Sequence, residues 1–508
     1  MEHLAIWPVL LPMFAGALLL LSGRTGEGFK RSVCLLATLL QIPLAVLLLV
    51  GAAGSGLQVY AAGNWVPPFG IVLVVDHLSA LLLLVTAVLA VGAILYAVRG
   101  DDLMGPNFHA LFQFQLMGIN GAFLTGDLFN LFVFFEILLI ASYALLLHGN
   151  GSARVRSGLH YVLLNLFGSA LFLIAVGTLY GVLGTLNMAD LSQRVAQLSA
   201  ADAPLVAAAA MLLLVVFGLK AAVFPLYFWL PRAYSAATPP VAALFAIMTK
   251  VGIYSILRVY TQIFGETAGP LADLITVWLW PAALITLAMG TIGALAAATL
   301  NGLVAYLLVV SVGTLLAGIA LGTHEALVGA LYYLVHSTWV CGALFLLAGI
   351  VSRCRGPRFV GRLVPGPALP KPMLLSGLFF LGAISVIGLP PLSGFIGKLL
   401  LLRATGTGTA AAWLYPLLLG SGLITIIAMS RAGSTLFWRK DPAAGGGEPL
   451  DGVRLTAVLL LMLCSPLMVI FADPVLDYLD ATVNQLLNPE EYARQVLSFQ
   501  AKAVGGAH

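Results

Sequence analysis

The chain has 508 residues, of which 61% are hydrophobic and only 9% are charged, and its formal net charge is +4. Its mean hydropathy of +1.05 excludes a water-soluble globular fold, because such a fold would leave too much apolar surface in water. The small positive charge gives no indication of a nucleic-acid partner. The composition therefore predicts an all-α polytopic membrane protein.

Apolar runs of about 20 residues, long enough to cross a ~30 Å hydrocarbon core, recur along the chain and predict fourteen transmembrane helices. Their length and lack of strict alternation exclude a transmembrane β-barrel. The first run ends without a small-residue cleavage site, so we expect a retained helix rather than a signal peptide. The predicted spans are 4–21, 32–53, 74–97, 108–125, 128–148, 157–183, 204–230, 239–264, 273–296, 301–321, 325–350, 372–402, 411–436 and 454–478.

Lysine and arginine are distributed unequally between the predicted loops. Fifteen of the 24 basic residues lie in odd-numbered loops, and four lie in even-numbered loops or the C-terminal tail. Because basic residues collect in short cytoplasmic loops, we predict cytoplasmic odd-numbered loops and both termini on the outer face. The four cysteines have no C-x-x-C spacing and indicate neither a disulfide framework nor a metal site.

Two predicted helices contain helix-breaking residues at membrane depth. Pro225 and Pro231 lie in or just after the seventh span, and the segment 388–394 with its two prolines interrupts the twelfth. Such breaks are tolerated where protein or a water-filled cavity satisfies the backbone. Because the broken helices are five apart, we predict inverted repeats formed by helices 4–8 and 9–13. The predicted units are 1–107 with the first three helices, the repeats 108–265 and 273–440, and 441–508 with the last helix and the tail.

Four charged residues, Glu136, Lys220, Lys250 and Lys398, lie near the middle of apolar runs. An ionisable group at that depth costs at least ~2.5–3.5 kcal/mol, so such groups usually pair, line wet cavities or move ions. We interpret the four as stations of a proton path. We also expect Lys220 to lie near Glu136, so that the contact between them loads or unloads a proton. The alternative for Glu136 is a buried pair that only joins two helices.

For Lys250 and Lys398, the alternative role is anchoring the backbone carbonyls of a broken or neighbouring helix. His336 lies inside the eleventh span, and its side chain titrates near neutral pH. It is predicted equally well as a packing residue or as a proton relay, and the neighbouring Ser337 and Thr338 hydroxyls would extend a water wire.

Other charged residues have predicted structural roles. Asp76 and Asp127 lie near helix starts, where a carboxylate favours the positive end of the helix dipole. Arg258, Arg403 and Arg431 lie near helix ends and are predicted to snorkel. The tail from residue 484 onwards either forms a short amphipathic surface helix or is disordered.

Several motifs surround the buried charges and the helix breaks: Gly126-Asp127-Leu128-Phe129-Asn130 with Glu136, Gly218-Leu219-Lys220 followed by Phe224-Pro225-Leu226 and Trp229-Leu230-Pro231, Thr238-Pro239-Pro240, and Gly388-Leu389-Pro390-Pro391 with Lys398. These motifs resemble the antiporter-like subunits shared by respiratory complex I and the multisubunit Mrp-type cation/proton antiporters, most closely the D-type subunits of the latter. The resemblance covers roughly residues 70–440. Lys398 favours the Mrp group, because the complex I M-type subunit carries a glutamate there. The chain also lacks the C-terminal extensions of complex I L-type and Mrp A-type subunits.

The resemblance implies a fourteen-helix fold with inverted repeats and a mid-membrane proton path. It implies a proton-translocating subunit of a monovalent cation (Na+)/proton antiporter, which couples proton entry to Na+ export and needs other membrane subunits as partners. The expected location is the cell membrane of a bacterium or an archaeon. The residues to which it assigns the path are Glu136, Lys220, Lys250, His336 and Lys398.

Two other functions stay open on the residues alone. One is a proton-pumping membrane subunit of a complex I-like or hydrogenase-type redox complex, and the other is a scaffold whose buried charges only fix helix register. No flavin, haem or iron–sulfur motif is found, so the chain is expected to be no enzyme by itself and to hold no cofactor. The sequence indicates no sodium site, because a cluster of buried carboxylates is missing.

Overall fold

The computed structural model describes residues 3–23, 25–439, 441 and 445–499. One antiparallel hairpin, β1 (Gln58–Ala61) and β2 (Val72–Val75), accompanies the helices. Short 3₁₀ turns connect several elements, and a π-helical turn, Ser434–Trp438, extends the helix before it. The α-helices are α1 (Trp7–Leu21), α2 (Glu27–Ser55), α3 (His77–Ala97), α4 (Phe108–Leu124), α5 (Leu128–Leu147), α6 (Ser152–Leu183), α7 (Met188–Ala196), α8 (Ala203–Ala221), α9 (Trp229–Ala236), α10 (Pro239–Phe245), α11 (Met248–Gln262), α12 (Thr276–Ala296), α13 (Leu300–Leu321), α14 (His324–Arg355), α15 (Pro372–Ile387), α16 (Ser393–Ala404), α17 (Thr409–Gly433), α18 (Gly452–Ile470), α19 (Ala472–Leu486) and α20 (Pro489–Leu497).

The predicted all-α membrane fold is confirmed. Twelve helical stretches of the described residues are long and apolar enough to cross a membrane. The 17-residue α4 and the pair α15 and α16 occupy the other two predicted spans. The count of fourteen stays a prediction. The hairpin and the amphipathic α7 were not predicted, because both lie between apolar runs.

Contacts between the loops agree with the predicted alternation of the spans. The Gly126 amide donates to the Val72 carbonyl at 3.0 Å, and the Met188 amide donates to the Gly126 carbonyl at 2.9 Å. These contacts join the second, fourth and sixth predicted loops. The Leu300 amide donates to the Gly361 carbonyl at 2.8 Å and joins two odd-numbered loops. These contacts join even-numbered loops only to even-numbered loops and odd-numbered loops only to odd-numbered loops, as alternating spans require.

A buried ion pair holds the start of α3. Asp76 caps this helix as predicted, because its carboxylate accepts from the Ser79 amide at 2.8 Å. The same carboxylate contacts Arg258 of α11 at 2.5 Å, and both side chains are only 3% exposed. The prediction that Arg258 snorkels is therefore wrong, since its charge is balanced inside the protein. Arg403 and Arg431 are exposed, as predicted.

Carboxylates just beyond the other end of α3 form a second ion-pair network. Asp101 accepts from Arg353 at 2.9 Å and contacts Arg454 at 3.3 Å, and these arginines belong to α14 and α18. The neighbouring Asp102 accepts from Arg31 at 2.6 Å. Burial by itself would raise the pKa of Asp102, but the hydrogen bonds from His109 and Arg31 outweigh this effect and lower the pKa to about 2. The network joins helices from both ends of the chain.

The C-terminal segment is helical over much of its described length. Tyr492, Ala493 and Val496 of α20 pack against β2 and α7. The Asn488 side chain caps this helix, since it accepts from the Glu491 amide at 3.2 Å. Of the two alternatives for the tail, a short amphipathic helix is therefore correct for 489–497. Residues 500–508, with Lys502, lie outside the described part.

Candidate functional site

Glu136 belongs to a cluster formed by α5, α6 and α8. Asp127 fixes the start of α5 as predicted, because its carboxylate accepts from the Asn130 amide at 2.8 Å. Two turns further on, half-buried Glu136 accepts a hydrogen bond from the Ser169 hydroxyl of α6. The Ser169 oxygen lies 3.4 Å from Nζ of Lys220. The expected contact between Glu136 and Lys220 is thus indirect, with Ser169 between them.

Lys220 lies at the interruption of the seventh predicted span. α8 ends at Ala221, and Ala222 adopts a left-handed conformation with φ of 62°. Lys220 is therefore in the last turn of α8, where the negative end of the helix dipole favours an ammonium. Its Nζ lies 3.4 Å from the backbone oxygen and from Oδ1 of Asn165, and 5.8 Å from the Phe135 ring centre. These acceptors solvate a charge that is only 5% exposed.

Lys250 is fully buried in the first turn of α11. Its Nζ donates to the Ser311 hydroxyl of α13 at 3.0 Å. α11 lies close against the end of α8, because a Cβ at Gly252 would come within 2.6 Å of the Ala221 backbone nitrogen. A glycine at this position therefore allows the helices that carry Lys220 and Lys250 to approach each other.

His336 faces the interruption of the twelfth predicted span. Its Nδ1 lies 2.7 Å from the Ser393 hydroxyl at the start of α16, and its Nε2 has no hydrogen-bond partner among the described residues. The extension of a water wire through Ser337 and Thr338 stays a prediction; both hydroxyls donate to the Leu334 carbonyl of their own helix, which leaves their oxygens able to accept. The side chain is only 1% exposed, so His336 is a buried group.

Lys398 caps the end of the other broken helix. Its Nζ donates to the carbonyls of Ile387 at 2.7 Å and Val386 at 3.2 Å, in the last turn of α15. This is the anchoring role that the sequence left open, and here too an ammonium meets the negative end of an interrupted helix. Lys398 also lines a cavity of about 250 Å³ together with Gly388 and Gly422. Apart from Lys398, the side chains that line this cavity are apolar.

The five predicted residues thus fall into two clusters with one station between them. Glu136 and Lys220 share Ser169, while His336 and Lys398 share the α15–α16 break. Lys250 acts electrostatically on His336, and so does Lys398. The hydrogen bonds of the described side chains do not form one continuous chain between Lys220 and Lys398.

The polar partners of these residues were not predicted from the sequence. They are hydroxyl and amide side chains inside apolar spans, and their only sequence signal is spacing, as in Asn165 and Ser169, which lie one helical turn apart. Among the described residues, no group of three or more His, Cys, Asp or Glu is placed to hold a metal ion. The other unpredicted partners are Ser311, Ser385, Ser393 and Ser465.

Residues 125–425 match the family model described as the transmembrane part of NADH:quinone oxidoreductase and Mrp antiporter. The chain belongs to this NADH:quinone oxidoreductase/Mrp antiporter family. The family predicted from the motifs is confirmed. Glu136, Lys220, Lys250, His336 and Lys398 all lie within the residues matched by the model of the NADH:quinone oxidoreductase/Mrp antiporter family.

Relatives in the NADH:quinone oxidoreductase/Mrp antiporter family match over nearly the whole chain. The D subunit of a probable K+/H+ antiporter of Rhizobium meliloti is 43% identical, over 98% of both chains. The D subunit of the Na+/H+ antiporter of Bacillus subtilis is 37% identical, over 98% of this chain and all of its own. A chain of the Mrp complex from a Dietzia species superimposes with a TM-score of 0.87 at 28% identity, over 98% of this chain and 99% of that one.

Proposed function

We propose that this chain is the proton-translocating subunit of a multisubunit monovalent cation/proton antiporter in the cell membrane. Protons cross the membrane interior by way of Glu136, Lys220, Lys250, His336 and Lys398, and their entry is coupled to Na+ export. The observation that carries the proposal is the buried cluster in which Ser169 joins Glu136 to Lys220. The relatives named as D subunits of Na+/H+ and K+/H+ antiporters support it.

The Glu136 cluster has the parts that a proton-loading site needs. The ammonium of Lys220 is surrounded by the oxygen acceptors of Asn165 and Ser169, and no described carboxylate is in direct contact with it. Glu136 acts on it electrostatically across Ser169. A change in the charge of Glu136 therefore shifts the balance between the ammonium and the amine. Because Glu136 is half-buried at the side of α5, it is accessible to a neighbouring membrane subunit.

Proton entry is driven by the membrane potential, which supplies about 2.3 kcal/mol per charge for each 100 mV. Lys220 accepts and releases the proton. Lys250, whose Nζ contacts the Ser311 hydroxyl, receives the proton next. His336 and Lys398 then pass it towards the α15–α16 break. Cation export takes place at a partner subunit or an interface. The names of the relatives mention both K+ and Na+, so the exported cation is to be tested with each ion.

The two interrupted helices support the inverted-repeat organisation. In each, a lysine ammonium lies at the C-terminal end of the first helical piece, Lys220 in α8 and Lys398 opposite α15. The proposed units are 1–107, 108–265, 273–440 and 441–508, with the second and third related by inversion. A two-fold axis in the membrane plane would then relate the two lysine sites.

The unequal distribution of basic residues supports a cytoplasmic face for the odd-numbered loops, with both termini outside. Single cysteines in exposed loops test this orientation with a membrane-impermeant maleimide on intact cells. Glu266→Cys lies in an even-numbered loop and is expected to react, whereas Arg358→Cys lies in an odd-numbered loop and is expected to stay unlabelled until the cells are opened. The reverse pattern would refute the orientation.

The function is tested by cation-dependent dissipation of ΔpH in everted vesicles that contain the complete complex. Lys220→Ala and Glu136→Ala are expected to abolish the response to Na+ while the complex still assembles. Lys371→Ala is the matched control, because it removes an exposed lysine in a loop and leaves the interior charges unchanged. Normal flux in Lys220→Ala or in Glu136→Ala would refute the proposed function. Lys220→Arg keeps a charge but not a titrating amine, so a nearly normal rate would favour the scaffold function.

The family model also covers subunits of NADH:quinone oxidoreductase, which makes a redox-driven pump the second candidate. The same vesicles separate the two candidates. An intact complex that responds to neither Na+ nor K+ but acidifies the vesicles during electron transfer would favour the pump. In that case the chain would still conduct protons, and electron transfer would take place in partner subunits.

A further inference from the structure

Three serine hydroxyls continue from His336 into the α15–α16 break. Ser393 lies 2.7 Å from Nδ1 of His336 and 2.8 Å from the Ser465 hydroxyl of α18, and Ser465 lies 3.1 Å from the Ser385 hydroxyl of α15. Ser385 is followed at once by Val386 and Ile387, whose carbonyls hold the Lys398 ammonium. The hydroxyls thus connect the histidine to the neighbourhood of the lysine.

The bonding pattern of these serines is unusual for hydroxyls in helices. Buried Ser and Thr side chains in helices commonly donate to a carbonyl of the preceding turn. Thr338 and Thr425 do so in this chain. The hydroxyl bonds of Ser385, Ser393 and Ser465 instead go to one another and to His336. Each oxygen can therefore donate on one side and accept on the other.

Close packing keeps the arrangement in place. A Cβ at Gly394 would lie 2.0 Å from the Ser385 carbonyl and 2.8 Å from Nε2 of His336. Only a glycine at this position lets the start of α16 approach both α14 and α15. Ser385, Ser393 and Ser465 are each at most 1% exposed, so bulk water does not reach them.

We propose that Ser393, Ser465 and Ser385 form a hydroxyl relay that carries protons between His336 and Lys398. α18, which lies outside both predicted repeats, then supplies a proton-transfer residue of the transport path, Ser465. The inference rests on the proposed function and names the route by which its last two stations exchange a proton.

The transfer leaves the total number of N–H and O–H bonds unchanged. Protonated His336 gives the proton on Nδ1 to the Ser393 oxygen, and Ser393 gives its own hydroxyl proton to Ser465. Ser465 in turn gives its proton to Ser385. Ser385 passes a proton to the free amine of Lys398, and this step requires one water molecule between the Ser385 hydroxyl and Nζ of Lys398, beside the Val386 and Ile387 carbonyls. The imidazole ends neutral, the amine ends as an ammonium, and all three serines keep one proton. Rotation of the hydroxyls then restores the starting arrangement.

The test uses the assembled complex in everted vesicles, with each variant compared at equal amounts of complex. Ser465→Ala and Ser393→Ala are both expected to lower the rate of cation-dependent proton flux by at least about 10-fold, since a positioned proton-transfer group typically contributes more than this. The control is Ser421→Ala, which removes a buried hydroxyl bonded to Thr291 at 2.7 Å, away from His336. Its rate is expected to equal that of the wild type.

The double variant Ser393→Ala/Ser465→Ala separates a relay from two independent structural contacts. Residues that act in one chain are not additive, so the double variant is expected to be no slower than the slower single variant. Because an interrupted relay makes proton transfer the slow step, D₂O is expected to lower the rate of Ser465→Ala by a larger factor than the rate of the wild type. Ser385→Ala interrupts the same chain from another helix, and it replaces Ser465→Ala if that variant does not assemble.

Three outcomes are distinct. Slow single variants with a non-additive double variant support the relay. Wild-type flux in Ser465→Ala, or a double variant whose loss equals the product of the two single losses, overturns the relay and leaves the proposed function intact. If the wild-type complex lacks cation-dependent flux, or if Lys220→Ala retains it, the proposed function itself is overturned.

Discussion

Replacing Ser169 with alanine removes the hydroxyl that joins Glu136 to Lys220. The main effect is the removal of the hydrogen bond that Ser169 donates to the Glu136 carboxylate, because the distance from its oxygen to Nζ of Lys220 is long, at 3.4 Å. A hydrogen bond to a charged group contributes about 1.5–3 kcal/mol. If the whole of this energy stabilises the transition state of proton transfer, removal of the hydrogen bond slows the step by about 10- to 150-fold.

The assay is the initial rate of ΔpH dissipation after addition of Na+ to everted vesicles. Ser142→Ala is the control, because Ser142 is also buried and also belongs to this part of the fold, but its hydroxyl bonds Tyr161 at 2.9 Å. We expect the control to keep most of the flux, whereas Ser169→Ala loses it without loss of assembly. An unchanged rate in Ser169→Ala would refute the reasoning, since Glu136 would then act on Lys220 without the hydroxyl.

Three further predictions concern stability. Arg258→Met leaves Asp76 buried and unpaired and is expected to destabilise the protein by about 3–5 kcal/mol, measured as thermal inactivation of the complex, while adding Asp76→Asn is expected to restore part of the stability. Because the pKa of Asp102 is lowered in the folded protein, its stabilising effect is present above about pH 4 and is lost as the pH falls towards 2. Asp102→Asn is therefore expected to unfold more readily at pH 7, and its stability is expected to change less than that of the wild type between about pH 4 and pH 2. Deleting residues 488–508 removes the Tyr492 ring that lies 5.8 Å from the Arg258 guanidinium and is expected to reduce the amount of assembled complex on native gels; full assembly would contradict this prediction.

The membrane spans and the helix caps could be predicted from the sequence because each depends on neighbouring residues. A run of apolar side chains identifies its own helix, and Asp76 and Asp127 cap the helices that directly follow them. The buried charges were found for a similar reason, since an ionisable residue in an apolar run has no local partner. Glu136, Lys220 and Lys398 are also residues of the family motifs.

The partners of the buried charges could not be predicted, because they come from distant parts of the chain. Arg258 pairs with Asp76 of another helix, and nothing in its own segment indicates this. Ser169 and Ser465 look like ordinary small residues of transmembrane helices, since small polar residues are common where such helices pack. The last predicted span is divided between α18 and α19, and this boundary was not predicted although Asp473 and Pro474 lie at the start of α19.

α3 is held at both of its ends by buried ion pairs. Asp76 binds α11, and Asp101 binds α14 and α18, so the helix connects the proposed first half of the molecule with the second across the full thickness of the membrane. Many secondary transporters expose their site by rocking two halves against each other. Here such rocking would have to break a buried pair at one face or the other, at a cost of several kcal/mol each time. The architecture therefore favours a static frame in which side chains and water move and the helices stay in place.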